Sequence, residues 1–195
     1  KSINGLVLME KVQEQVLCLG VEVEQVAEIE KWDLESEIKS IETDESIYRG
    51  PAVILATGSD PIRLPHLADC EQVHYCAICD GPAYKGKHVF VVGGGNSGFD
   101  ETLYLLSLGV KSVTIVEVME QCMAEGILQD QVLANNNVEV LVQTQIKEAL
   151  TSDGKLTSVL LENTATSATA EKEAQSIFVF IGQKPNTDSF KDAVK

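Results

Sequence analysis

Apolar residues recur at three- and four-residue steps from Gly5 to Leu19, at Leu6, Met9, Val12, Val16 and Leu19, and Gly20 follows where a helix C-cap would sit. The spacing predicts a helix with one apolar face. Short alternating runs come next, at 21–26, Ile29–Leu34, Glu37–Thr43 and Ser46–Tyr48, parted by acidic or polar breaks. They predict a small antiparallel meander. Pro51–Gly58 differs, being continuously apolar from Ala52 to Ala56 before Thr57 and Gly58, as expected of a strand buried on both faces. Ser59, Asp60, Pro61 and Pro65 then break the pattern and mark a first boundary.

Beyond that break the periodicity alternates between two and 3.6. His88–Val92 predicts a buried strand, Asn96–Leu108 a helix with Phe99, Leu103, Leu106 and Tyr104 inward and Gly109 closing it, and Ser112–Glu117 the next strand. A strand, glycine turn, helix and strand in about thirty residues is the size of a parallel unit joined by a right-handed crossover. A helix over Gly126–Ala134 and a strand over Val138–Val142 repeat the alternation. Gln145–Thr151, Lys155–Glu162 and Gln175–Ile181 read as further strands, with a hairpin turn at Ser152–Gly154 and an exposed loop over Asn163–Ala174. Gly182–Thr187 is a second breaker cluster. Residues 60–183 are therefore expected to form one α/β unit, a parallel sheet with helices plus antiparallel strands, bracketed by 1–59 and 184–195 as pieces of something else.

Composition narrows the classes. The 195 residues, 44% of them hydrophobic, suffice for a buried core. Thirty Asp and Glu against fifteen Lys and Arg give a net charge of −15 and a pI near 4.5, which argues against nucleic acid or an anionic membrane surface as main partner. No apolar run reaches the roughly 18 residues of a membrane span, and the start lacks the pattern of a signal peptide. Cys18, Cys70, Cys76, Cys79 and Cys122 are odd in number with one close pair. That pattern fits a reducing, cytoplasmic setting with one dedicated redox pair rather than a secreted disulfide framework. The chain opens on Lys1 without a Met, and a portion of a longer protein is expected.

Two motifs carry chemistry. In Gly93-x-Gly95-x-x-Gly98 the first glycine permits a tight turn, the second lets backbone approach a pyrophosphate, and the third lets helix pack on strand. The helix start would then offer free amides and partial positive charge to phosphate. Glu117 closes the next strand, where a carboxylate accepts the ribose 2′-hydroxyl, with Glu120 as a competitor for the role. A carboxylate there would repel a 2′-phosphate, and residues 118–125 contain no Lys or Arg, so NADH is expected over NADPH. The second motif, Cys76-x-x-Cys79, admits a zinc site, structural cysteines or a dithiol/disulfide pair. Zinc wants about four ligands, and neither a second close pair nor a suitably spaced His accompanies this one. Asp80, Gly81 and Pro82 point to a turn with an exposed thiol, which favours the redox reading, with Asp80 as proton donor and acceptor. A nicotinamide delivers a hydride, which sulfur does not readily accept, so a flavin is expected between them.

Tyr75-Cys76-Ala77-Ile78-Cys79-Asp80-Gly81, followed by Val91-Val92-Gly93-Gly94-Gly95-Asn96-Ser97-Gly98, with Ala56-Thr57-Gly58 before and Ile181-Gly182-x-x-Pro185-Asn186-Thr187 after, closely resemble the low-molecular-weight thioredoxin reductases. They equally resemble the flavoprotein reductase of the alkyl hydroperoxide reductase system. The resemblance covers essentially the whole chain. It implies a Rossmann-like NAD(P)H-binding domain (60–183) inserted into an FAD-binding domain, of which 1–59 would be a part and 184–195 the return. The crossovers would lie near Thr57-Gly58 and Pro185-Asn186-Thr187, with hinges at Gly58–Pro61 and Gly182–Pro185 about which the domains rotate. It further implies cofactor contacts at Thr57, Gly58, Gly93, Gly94, Gly95, Asn96, Ser97, Gly98, Glu117 and Gly182. Cys79 would face the flavin, Cys76 would exchange with a thioredoxin-like or peroxiredoxin-like protein, and Asp80 would handle protons, in a full-length homodimer.

The departures also inform. Where the NADPH-using reductases carry a His-Arg-Arg-like stretch, this chain has Glu117-Val118-Met119, with Leu128-Gln129-Asp130 nearby, which resembles the NADH-using, peroxiredoxin-reducing relative. The family's first FAD glycine fingerprint and closing Gly-Asp segment are absent from the sequence, so the chain alone is expected neither to hold FAD firmly nor to turn over. His66, His74 and His88 have no paired nucleophile and read as surface or packing residues. The alternative to an enzyme portion is a dinucleotide-binding module without catalysis of its own.

Overall fold

The computed structural model describes residues 3–25, 28–191 and 193. It divides into two units, one formed by the described residues before Gly58 together with those from Thr187 on, the other by Gly58–Asn186. Among the described residues no helix is long and apolar enough to cross a membrane.

In the first unit α1 (Gly5–Cys18) begins at Asn4, whose side chain accepts a hydrogen bond from the Leu6 amide at 2.9 Å and so satisfies one donor of the first turn. β1 (Ile29–Asp33), β2 (Lys39–Thr43) and β3 (Ile47–Gly50) form an antiparallel sheet in that order, the predicted meander. Val21–Gln25 carries no strand, and Val26 lies outside the described residues. The strand expected over Pro51–Gly58 does not form. The stretch is irregular and mostly exposed, with Ile54 at 93%. A strand buried on both faces needs neighbours to share its backbone hydrogen bonds, and no described strand pairs with this one.

The second unit contains, in chain order, β4 (Ser59–Pro61), β5 (Val73–His74), α2 (Ala77–Asp80), β6 (His88–Val92), α3 (Asn96–Ser107), β7 (Ser112–Val116), α4 (Gly126–Leu133) and β8 (Val138–Leu141). β9 (Thr144–Ser152), β10 (Lys155–Asn163), β11 (Thr169–Glu173), β12 (Ser176–Val179) and β13 (Gln183–Pro185) follow. β5, β12, β6, β7 and β8 make a parallel sheet in that order. The apolar run of β6 serves both sheet faces. Val89 and Val91 pack with Phe99, Leu105 and Val132 on the helical side, and Phe90 and Val92 with Ile146, Val159 and Leu161 of the antiparallel β11–β10–β9 sheet on the other.

Local details refine the expectations. In α3 the buried positions are Gly98, Phe99, Thr102 and Leu105, and Leu103, Tyr104 and Leu106 are half-buried and pack against the same core. Thr102 is tolerated in the core because its hydroxyl donates to the Gly98 carbonyl at 2.7 Å. Residues 169–173, expected as loop, form β11 on the edge of β10. Their Thr-Ala-Glu-Lys-Glu sequence is exposed on both faces apart from Lys172, so the backbone ladder holds the strand without any apolar alternation to reveal it. The two breaker clusters meet: β4 pairs antiparallel with β13, Ser59 opposite Pro185 and Pro61 opposite Gln183.

Candidate functional site

The carboxyl ends of three adjacent parallel strands, β12, β6 and β7, open onto one cavity of about 410 Å³ lined by Gly93, Gly94, Gly95, Asn96, Ser97, Glu117, Val118, Phe180, Ile181 and Gly182. Ligands of open α/β sheets bind at this edge. Gly93 leaves β6 at φ +117°, donates to the Val116 carbonyl at 2.9 Å, and leaves no room for a Cβ against the Phe180 carbonyl. A Cβ on Gly98 would run into the Gly93 carbonyl, so the third glycine lets α3 close on the strand. Gly95 is the N-cap of α3, no side chain caps it, and a Cβ there would meet nothing within 4 Å. An open cradle before an uncapped helix start suits a phosphate.

Glu117 sits just past β7, half-buried, and accepts from the Gly94 amide at 2.7 Å through one oxygen and from the Met119 amide at 2.9 Å through the other. A carboxylate has about four acceptor positions, so lone pairs remain for a ribose hydroxyl. The loop after Glu117, which sequence reasoning had not connected with the turn, clamps it. Met123 and Ala124 donate to the Gly94 carbonyl, the Glu125 amide donates to the Asn96 side chain at 2.7 Å, and the Cys122 sulfur lies where a Gly94 Cβ would go. Burial and the Glu117 charge push the Cys122 thiol up. Of the expected cofactor residues, the cavity thus gathers Gly93 to Ser97, Glu117 and Gly182, with Gly98 closing the helix onto the strand. Gly58 lies apart beside the β4–β13 ribbon, its carbonyl accepting from the Asn186 amide at 3.0 Å, and Thr57 belongs to the other unit.

Cys76 and Cys79 are joined in a disulfide with Cα atoms 5.3 Å apart. The spacing works because Cys76 caps α2: its sulfur accepts from the Cys79 amide at 3.2 Å and its carbonyl from the Asp80 amide at 3.1 Å. Ala77 is fully buried and anchors the turn, while Ile78 is 67% exposed between the cysteines. Cys79 is exposed and Cys76 half-buried. Gly81 then packs on Leu105 and Leu108, where a Cβ would sit 2.9–3.1 Å from their methyls. A helix of 12 residues is about 18 Å long, so the disulfide segment docks at the opposite end of α3 from the glycine turn.

One histidine sits in a cluster of polar and aromatic side chains. His74, on β5 beside Phe178 of β12, has its ring 5.2 Å from those of Phe178 and Tyr84. Its Nε2 lies 2.6 Å from the Tyr84 hydroxyl and its Nδ1 3.4 Å from Asp80 Oδ2. Burial holds the imidazole below its ordinary pKa against the opposing pull of Asp80, and burial with the Asp80 charge raises the Tyr84 phenol. The contacts of His66, to the Ile146 carbonyl, and of His88, to the Ser112 hydroxyl, are structural.

A Cys76–Cys79 disulfide and a glycine-turn cavity thus sit on one α/β unit built on a parallel sheet covered on both faces. The sequence matches the family described as pyridine nucleotide-disulphide oxidoreductase over residues 4–195. It is 35% identical over 198 residues to a thioredoxin reductase of Borreliella burgdorferi, covering 97% of this chain and 59% of that protein. It is 34% identical over 197 residues to a 34.2 kDa protein in the rubredoxin operon of Clostridium pasteurianum, covering 98% of this chain and 63% of that one. The crystal structure of Lactococcus lactis thioredoxin reductase in its FR conformation superposes with a TM-score of 0.81 at 30% identity, covering 97% of this chain and 63% of that one. The chain belongs to the pyridine nucleotide-disulphide oxidoreductase family, and it spans about three-fifths of the length of these relatives.

Proposed function

We propose that this chain is the nucleotide-binding and disulfide-bearing portion of a reductase that passes electrons from NADH, by way of FAD in the full-length protein, to the Cys76–Cys79 disulfide and on to a thioredoxin-like or peroxiredoxin-like partner. The observation that carries the reading is the presence of both stations, the Glu117-closed cavity and the Cys76–Cys79 disulfide, on a single α/β unit. The residues of the cavity fit a dinucleotide: the open cradle at Gly95 and the amides of Asn96 and Ser97 would hold the pyrophosphate, and Glu117 would hold the ribose diol.

Flavin, when bound, converts a hydride into electrons that sulfur accepts. Among the described residues there is no second glycine turn of this kind after a strand, so no flavin pocket is assigned to them. The isolated chain is expected to bind NADH yet not reduce a protein with it. After reduction, the Cys79 amide aimed at Cys76 Sγ favours a Cys76 thiolate as the attacking sulfur, and the neighbouring Asp80 would take and return the proton. The prereduced chain is mixed with oxidised thioredoxin and the products are separated under non-reducing conditions. Cys79→Ser is expected to accumulate a covalent complex through Cys76, and Cys76→Ser to accumulate none. Trapping by both variants or by neither would refute the assignment.

A further inference from the structure

Asp80 does not stand alone beside the disulfide. Its Oδ2 is 3.4 Å from His74 Nδ1, and the other ring nitrogen is 2.6 Å from the Tyr84 hydroxyl. The rings of Phe178 and Tyr84, each with its centroid 5.2 Å from that of the imidazole, pack against it. The side chain of His74 is 16% exposed, that of Asp80 42%. The groups facing the imidazole are therefore the Asp80 carboxylate from α2, the Tyr84 hydroxyl from the turn that follows, and the apolar Phe178 from β12. The buried Cys70 thiol adds, after burial and Asp80, to what raises the Tyr84 phenol.

We propose that His74 is a positioning residue that orients the proton-handling carboxylate of Asp80, donating Nδ1–H to Oδ2 while Nε2 accepts from the Tyr84 hydroxyl. An ionised carboxylate only accepts hydrogen bonds, so Nδ1 must carry the proton. A neutral imidazole then has Nε2 as an acceptor, which Tyr84, able to donate, satisfies. Burial depresses the His74 pKa and so favours the neutral ring that this arrangement uses. With Oδ2 engaged, Oδ1 is the oxygen left for a thiol.

In exchange with an external disulfide, the proton of the attacking thiol passes to Asp80 and on to the first thiolate released from the partner as the mixed disulfide forms. The second thiol of the pair then attacks that mixed disulfide, and its proton goes by the same carboxylate to the second released thiolate. The Cys76–Cys79 dithiol is oxidised, the external disulfide is reduced, and the S–S bond of the partner is replaced by the one re-formed here. His74 keeps its own proton throughout. The inference rests on the redox reading of the Cys pair above. Nothing in the spacing of His74 and Asp80 along the chain announces it, because the contact depends on how the chain turns between β5 and α2.

The test uses the prereduced chain and oxidised glutathione as probe, with ¹⁵N-histidine NMR beside it. His74→Leu is expected to slow re-oxidation about tenfold at neutral pH, part of the 10²–10⁴ that a positioned acid–base group supplies. His74→Gln, which can still donate to Asp80, should stay within about threefold of the wild type. His74→Leu added to Asp80→Asn should cost no more than Asp80→Asn alone. The NMR spectrum should show the Nδ1–H tautomer, with Asp80→Asn lowering the imidazole pKa. The proposal is overturned if His74→Leu exchanges at the wild-type rate, if both His74 variants fall equally, or if the ring is the Nε2–H tautomer. A wild-type chain that does not exchange at all would remove the redox reading itself, and with it this inference.

Discussion

Gly95 has φ −85° and ψ 179°, angles any residue adopts, and a Cβ built on it meets no heavy atom within 4 Å. Gly95→Ala is thus expected to fold as well as the wild type, or better by about 0.4–1 kcal/mol through a less mobile unfolded chain. The added methyl fills the cradle where a pyrophosphate would approach the α3 amides. Losing charge-assisted hydrogen bonds worth about 1.5–3 kcal/mol weakens NADH binding by roughly ten- to a hundredfold. Gly93→Ala makes the contrast. At φ +117°, with a Cβ driven against the Phe180 carbonyl, strain of about 1–3 kcal/mol adds to the overlap and stability falls. Urea denaturation followed by isothermal titration with NADH separates the two effects. A Gly95→Ala chain that binds NADH like the wild type, or that is destabilised by more than about 1 kcal/mol, would refute the cradle.

Other outcomes follow from the same geometry. Leu105→Ala, at a fully buried position, is expected to cost about 2–5 kcal/mol in urea melts, and Leu103→Ala, which is only half-buried, clearly less. The Cys122 thiol, pushed up by burial and Glu117, should be alkylated by iodoacetamide at pH 8 more slowly than the exposed Cys18, a ranking read by peptide mass spectrometry. His74 titrates below its ordinary 6.5 in the folded chain, so as pH falls through that value the unfolded chain binds protons that the folded one does not. Stability present above about pH 6.5 should therefore decline toward pH 5, and decline less in His74→Gln, as urea midpoints at the two pH values will show.

Much of the α/β unit was legible because burial wrote it into the sequence. The apolar run of β6 has to fill both sheet faces, and the glycines at 93 and 98 are each required by a close approach, while Gly95 leaves an open space. Pro51–Gly58 misled for the same reason: its apolar character promises neighbours that the described strands do not provide. β11 was hidden because an exposed edge strand needs no apolar alternation. The clamp of the Gly94 carbonyl by Met123 and Ala124, and the His74–Asp80–Tyr84 chain, were invisible because they depend on loops and rings brought together by the sheet.

The central claim is that the cavity beside Glu117 is a nicotinamide dinucleotide site shaped for an unphosphorylated ribose. Titrating NADH and NADPH separately into the wild-type chain at physiological ionic strength tests it most directly. NADH should bind at least about tenfold more tightly, the repulsion of a 2′-phosphate by a nearby carboxylate amounting to a kcal/mol or more, and Glu117→Arg should reduce or reverse that ratio. Tighter binding of NADPH by the wild type, or binding of neither nucleotide, would contradict the account.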